Sequence, residues 1–141
     1  MSNSFKIIHE TAKISSFDSI VAMGVYAGDR LEWVEEAINS LLTQSYLDFL
    51  YVIVIDGEIP LNIRAFLFKI ANEHNNVQLV QAEHNVGLSQ CMNFVIEWSL
   101  ENVKSAKYFF RMDADDISLE NRLEKQIDFL QKNPSISVLG S

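Results

Sequence analysis

Three carboxylates fall within four residues at Asp113-Ala114-Asp115-Asp116, directly after the apolar run Tyr108-Phe109-Phe110-Arg111-Met112. A run that aromatic reads as a buried strand, so the acids are expected at its carboxyl end. In open α/β sheets that is the edge where ligands bind. Acids gathered there need a cation, and a hard divalent metal carrying a phosphate supplies one. The spacing therefore suggests metal-dependent chemistry on a nucleotide derivative. Two other residues stand at strand ends. Tyr26 follows Ser19–Val25, and Asp56 follows the β-branched run Leu50–Ile55. Asp56 with Gly57 reads either as a turn cap or as a hydrogen-bond acceptor for a base or ribose.

The elements that must position these residues alternate regularly. Strands are expected at Ser19–Val25, Leu50–Ile55, Val77–Gln81 and Tyr108–Met112. Between them lie helical patterns. In the first, Asp29 and Glu32 have the spacing of a capping box, followed by Leu31, Val34, Ile38, Leu41 and Leu42 on one face. A second helix is expected over Leu61–Glu73. A third, from Leu88 to Leu100, follows the turn Asn85-Val86-Gly87. A last helix, capped by Ser118, carries Leu123, Ile127 and Leu130 and stops at Asn133-Pro134. This order implies a doubly wound, mainly parallel α/β sheet with helices on both faces. In such a sheet the ends of the first, second and fourth strands converge on one crevice, bringing Tyr26, Asp56 and the Asp113/Asp115 pair together.

Residues 1–17 read as an irregular N-terminal arm and residues 18–141 as the domain proper. The final segment Ser135–Ser141 reads as a turn and then a strand with nothing after it, as expected of a C-terminally truncated piece.

Composition excludes several classes. The 141 residues are 48% hydrophobic and carry a net charge of −8, without a basic cluster. A nucleic-acid surface needs a basic stripe, and a polybasic membrane patch needs the same. No apolar stretch is long enough for a transmembrane helix, and the N-terminus lacks the pattern of a signal peptide. The single Cys91 excludes an internal disulfide and suits a reducing cytosol. It falls within a helical pattern and reads as a small core residue. Trp33 and Trp98 read as packing residues, and His9, His74 and His84 have no metal spacing.

Neither Gly-x-Gly-x-x-Gly nor Gly-x-x-x-x-Gly-Lys occurs, which argues against a dinucleotide dehydrogenase and a P-loop NTPase. Asp113, Asp115 and Glu124 match the first, third and twelfth positions of a calcium loop. Ser118 stands where that loop needs glycine, and a strand precedes it, so calcium is rejected.

Taken in order, the motifs resemble the N-terminal half of a family 2 glycosyltransferase of the Rossmann-like GT-A fold. Val21–Gly28 is similar to the opening strand and its Pro-x-Tyr-Asn turn. Ala37–Tyr46 is similar to the "SI-S-LLxQTY" helix end, and Val52–Gly57 to "VVDDGS". Asn85–Asn93 resembles "N-x-GLxxARN", and Phe110–Asp116 the "LDADD" metal signature; Arg122 and the Leu-rich helix also follow the pattern. The resemblance implies that Tyr26 and Asp56 hold the base, commonly uracil. It implies that Asp113 contacts ribose or metal, and that Asp115 is the main ligand of Mg²⁺ or Mn²⁺.

The implied reaction is inverting transfer from a nucleotide-sugar, typically a UDP-sugar, to a glycan or lipid-linked acceptor in surface polysaccharide assembly. The implied location is the cytoplasm, at the inner face of the membrane through peripheral association of the full-length protein. The general base is expected beyond Ser141. The departures are Gly24 and Ala27 for Pro and Asn, Ile55 for the first acid of the pair, and Met92 for Arg. The rivals are a noncatalytic nucleotide-binding or scaffold module and a sugar-nucleotide nucleotidyltransferase, whose Gly-rich N-terminal loop is missing.

Overall fold

The computed structural model describes residues 4–11, 16–44, 48–114 and 122–132. In chain order the elements are β1 (Phe5–His9), β2 (Ser19–Val25), α1 (Leu31–Leu42), β3 (Phe49–Asp56) and α2 (Leu61–Glu73). After these come β4 (Val77–Ala82), α3 (Leu88–Asn102), β5 (Tyr108–Arg111) and α4 (Arg122–Lys132).

All eight residues of β3 are buried, which explains its unbroken apolar sequence. Phe49, Tyr51, Ile53 and Ile55 face one helical layer, and Leu50, Val52 and Val54 face the other. A strand covered on both sides cannot alternate polar with apolar. The five strands lie in the order β1-β4-β3-β2-β5. β3 pairs in parallel with β2 and β4, and β5 pairs in parallel with β2. The chain thus winds outward from β2 through β3 to β4, then returns to the other side of β2 as β5. That reversal opens a crevice above the carboxyl ends of β2 and β5.

The two layers follow from the winding. Val34, Ala37, Ile38 and Leu41 of α1 join Ile63, Leu67 and Ile70 of α2, and Leu123 and Ile127 of α4, on one face. Cys91, Met92, Phe94, Val95 and Trp98 of α3 cover the other. Burying each large aliphatic side chain contributes about 1.5–3 kcal/mol, so the two stripes dominate the fold's stability. Tyr51, fully buried, also donates its hydroxyl hydrogen to Met23 Sδ at 3.1 Å.

The arm differs from expectation. Phe5–His9 is a strand, paired antiparallel with β4, and the Phe5 ring stacks on Phe94 at 4.5 Å. Five residues with one charge carry too little periodicity to announce it. The expected capping box also gives way. Arg30 is the N-cap of α1 and makes no side-chain cap hydrogen bond. Asp29 Oδ2 instead accepts the Tyr26 N–H at 3.0 Å, closing the turn after β2. Asp115, Asp116, the Ser118 cap, the Asn133-Pro134 stop and the strand expected over 135–141 lie outside the described residues, and so do the side chains of Arg122 and Leu130. Among the described residues no helix is long and apolar enough to cross a membrane.

Candidate active site

The carboxyl ends of β2, β3 and β5 enclose a crevice of about 460 Å³. Tyr26, Asp56 and Asp113 all line it, so three of the four residues singled out in the sequence meet there. Gly24, Asp29, Trp33, Asn85, Gly87, Leu88, Cys91 and Ala114 complete the wall with Val25. Its size suits a nucleotide-sized ligand.

Asp56 is the best-defined part. Its carboxylate is 5% exposed and accepts the Val86 N–H at 2.8 Å on Oδ1 and the Gly87 N–H at 3.1 Å on Oδ2. These amides precede α3, where a phosphate sits in dinucleotide-binding folds. Here an internal carboxylate takes these two loop amides, which accords with the absence of a Gly-rich phosphate loop. Two backbone N–H groups and the Cys91 thiol donate to this carboxylate, which has about four acceptor positions, so Asp56 is held in place while remaining able to accept from a ligand. Of the two alternatives left open for Asp56, turn cap or ligand acceptor, neither describes this clamp on the loop before α3.

The loop is supported from several sides. Gly57 has φ +86°, and a Cβ there would lie 2.7 Å from the Asn85 nitrogen, so only glycine fits. Gln81 Nε2 donates to the Gly57 carbonyl at 2.8 Å and the Ala82 carbonyl at 2.9 Å, while its Oε1 accepts from Arg64 Nη1 at 2.6 Å. Behind Asp56 lies Cys91, whose thiol is pushed up to about 12 by burial, then by the Asp56 charge and a hydrogen bond to it. It is a neutral core residue, not a nucleophile. Ile55, in the place of the family's first acid, is fully buried in the core.

Tyr26 is half exposed, and its ring lies over Gly28, where a Cβ would fall 2.5 Å from the phenolic oxygen. Asp113 follows β5 and is anchored through its neighbours. The Met112 N–H donates to the Ala22 carbonyl at 2.9 Å, and Met112 and Ala114 are buried. Arg111 Nε lies 3.9 Å from Asp113 Oδ1, but both side chains are largely exposed and the pair is weak. Beyond the acidic segment, α4 is tied back by Gln44, whose buried Oε1 accepts the Leu123 N–H at 3.1 Å. This gives the glutamine of the Ala37–Tyr46 motif a structural role.

Trp33 is the residue the sequence reading missed. Expected as packing, it is 42% exposed and lines the crevice, with the Arg30 guanidinium 5.0 Å from its ring centroid. The signal was present: Trp33 lies off the stripe of Val34, Ala37, Ile38 and Leu41.

Among the described lining residues are three aspartates, Asp29, Asp56 and Asp113, and no lysine or arginine. An anionic diphosphate entering this wall needs a cation. Among the described residues no three His, Cys, Asp or Glu side chains are grouped as a metal cage. The oxygen donor Asp113 nevertheless fits Mg²⁺ or Mn²⁺, which keep waters and take phosphate oxygens as further ligands.

The family model described as "Glycosyl transferase family 2" matches residues 21–141. The chain belongs to that family.

Among curated relatives of this family 2 member, the amylovoran biosynthesis glycosyltransferase AmsE of Erwinia amylovora is 31% identical over 121 residues. The match covers 86% of this chain and 43% of AmsE. Two solved structures share the fold. S. aureus TarS 1-349 in complex with UDP-GlcNAc has a TM-score of 0.68 at 20% identity, over 82% of this chain and 32% of that one. The mannosyltransferase PcManGT from Pyrobaculum calidifontis in complex with GDP-Man and Mn²⁺ has a TM-score of 0.68 at 15% identity, over 89% and 35%. The fold is thus that of the GT-A glycosyltransferases. The chain spans less than half the length of the curated relatives it matches.

Proposed function

We propose that residues 18–141 form the donor-binding portion of a metal-dependent, inverting glycosyltransferase, with residues 1–17 as its arm. The donor is a nucleotide-sugar, a UDP-sugar in this reading, and the acceptor a glycan or lipid-linked glycan of surface polysaccharide assembly at the cytoplasmic face of a membrane. The observation that carries the reading is the crevice itself: Tyr26, a clamped Asp56 and Asp113 around one opening, with no basic lining residue among those described.

In this reading the base lies against Tyr26, and its imide N–H donates to the remaining lone pair of Asp56. Asp113 and Asp115 hold Mg²⁺ or Mn²⁺, which would offset charge on the leaving diphosphate. The chain's own contribution is to bind and orient the donor. Asp56 and Tyr26 fix the nucleoside, and the acids take the phosphate end. Deprotonating the acceptor hydroxyl requires a separate carboxylate, and none of the crevice aspartates is assigned that step.

The test is a competition among UDP, CDP and GDP. Uracil N3 and guanine N1 carry a hydrogen that Asp56 can accept, whereas cytosine N3 is itself an acceptor. UDP should bind at least tenfold tighter than CDP in the presence of Mn²⁺. Equal affinity for UDP and CDP would remove Asp56 from base recognition.

A further inference from the structure

Seven large hydrophobic side chains are exposed in the described structure, and three of them, Tyr26, Trp33 and Leu88, line the same crevice. The nucleotide-sugar reading uses Tyr26 for the base and leaves Trp33 without a function. Trp33 sits in the first turn of α1, whose core contacts are already made by Val34, Ala37, Ile38 and Leu41. Its indole is therefore not needed to close the core.

Arg30 stands against the indole at 5.0 Å from the centroid, which steadies the ring through a cation–π contact. The same Trp33 side chain lines the crevice. Asp29, also in the wall, carries a carboxylate beside this surface in sequence. An aromatic plane with a neighbouring carboxylate suits a pyranose ring. The sugar's C–H face is weakly positive and meets the electron-rich π surface, while its hydroxyls donate to carboxylate oxygens. A phosphate is disfavoured against an electron-rich face, and the base already has Tyr26.

We propose that Trp33, braced by Arg30, is a stacking platform for a hexopyranose ring at the edge of the donor crevice. The proposal rests on the nucleotide-sugar reading. The ring belongs to the donor sugar or to the acceptor, and the experiment separates the two.

Wild type, Trp33→Ala and Trp33→Phe are titrated calorimetrically with UDP, UDP-GlcNAc and UDP-galactose in Mn²⁺. Methyl hexosides are then followed by saturation-transfer NMR with UDP present. For a donor platform, Trp33→Ala weakens one UDP-hexose three- to tenfold, leaves UDP within twofold, and Trp33→Phe recovers most of the loss. For an acceptor platform, UDP-hexoses are unchanged and the methyl hexoside signal disappears in Trp33→Ala alone. If UDP binds the wild type but Trp33→Ala changes neither hexose signal, or weakens UDP equally, the platform is wrong and the donor site stands. If the wild type binds no UDP or UDP-hexose, both fall.

Discussion

Asp56 and Gly87 are 31 residues apart in sequence and joined by a 3.1 Å hydrogen bond from the Gly87 N–H to Asp56 Oδ2. With the 2.8 Å bond from Val86 N–H to Oδ1, it ties the carboxyl end of β3 to the start of α3. The bonds cross from one winding half of the sheet to the helix that begins the return. They fix the loop that leads into α3 against the end of β3.

Asp56→Asn should therefore loosen the loop as well as the site. The amide keeps one oxygen but presents an NH₂ to the second backbone N–H. Leaving a buried donor without its charged acceptor costs about 1–3 kcal/mol. Urea denaturation should show that loss, and the Val86 and Gly87 amides should exchange faster with solvent. A variant as stable as wild type with unchanged exchange would mean the clamp contributes nothing.

The glycines on either side of this clamp should differ in kind. Gly57→Ala combines a left-handed φ with a Cβ 2.7 Å from the Asn85 nitrogen, so backbone must move. Gly87→Ala has φ +95° but nothing within 4 Å of the new atom. With ψ at 158°, Gly87 lies in a region essentially reserved for glycine, where a side chain costs about 1–3 kcal/mol. Gly87→Ala should lose about that much in thermal or urea unfolding, and Gly57→Ala clearly more. The reverse order would contradict the packing around Asn85.

Cys91 should give the stability a pH dependence in the alkaline range. Its thiol is pushed up to about 12 in the fold, by burial first and Asp56 second, against about 8.5 in an unfolded chain. The fold favours the neutral thiol, so this contribution is complete below about pH 8.5 and is lost as pH rises toward 12. The slope is about 1.4 kcal/mol per pH unit. Wild type should lose stability relative to Cys91→Ala in urea titrations between pH 8 and pH 10.5. A constant difference across that range would show that the thiol is not shifted.

The fold was legible because its strongest signals are local. The unbroken β3 run, the α1 stripe and the acids after β5 each announce a buried strand, a one-sided helix or a strand end. The convergence of Tyr26, Asp56 and Asp113 followed from the winding alone. What was illegible depends on geometry across the chain. Nothing in an Asp-Gly pair says that its carboxylate reaches amides thirty residues away, and Asp29 lost its expected capping role to the turn at Tyr26. Strand β1 is recruited by pairing with β4, a non-local contact that outweighs its weak periodicity. Trp33 was misassigned because its residue type argued for burial while its position on the helix argued against it.

The central claim is metal-dependent nucleotide binding at the acids after β5. Its most direct test is calorimetric titration of UDP into the protein with Mn²⁺, with EDTA, and with Asp113→Asn and Asp115→Asn. The account predicts binding with Mn²⁺, at least tenfold weaker binding in EDTA, and loss of the metal's effect in Asp115→Asn. Binding of equal strength with and without metal, unchanged in both variants, would contradict it.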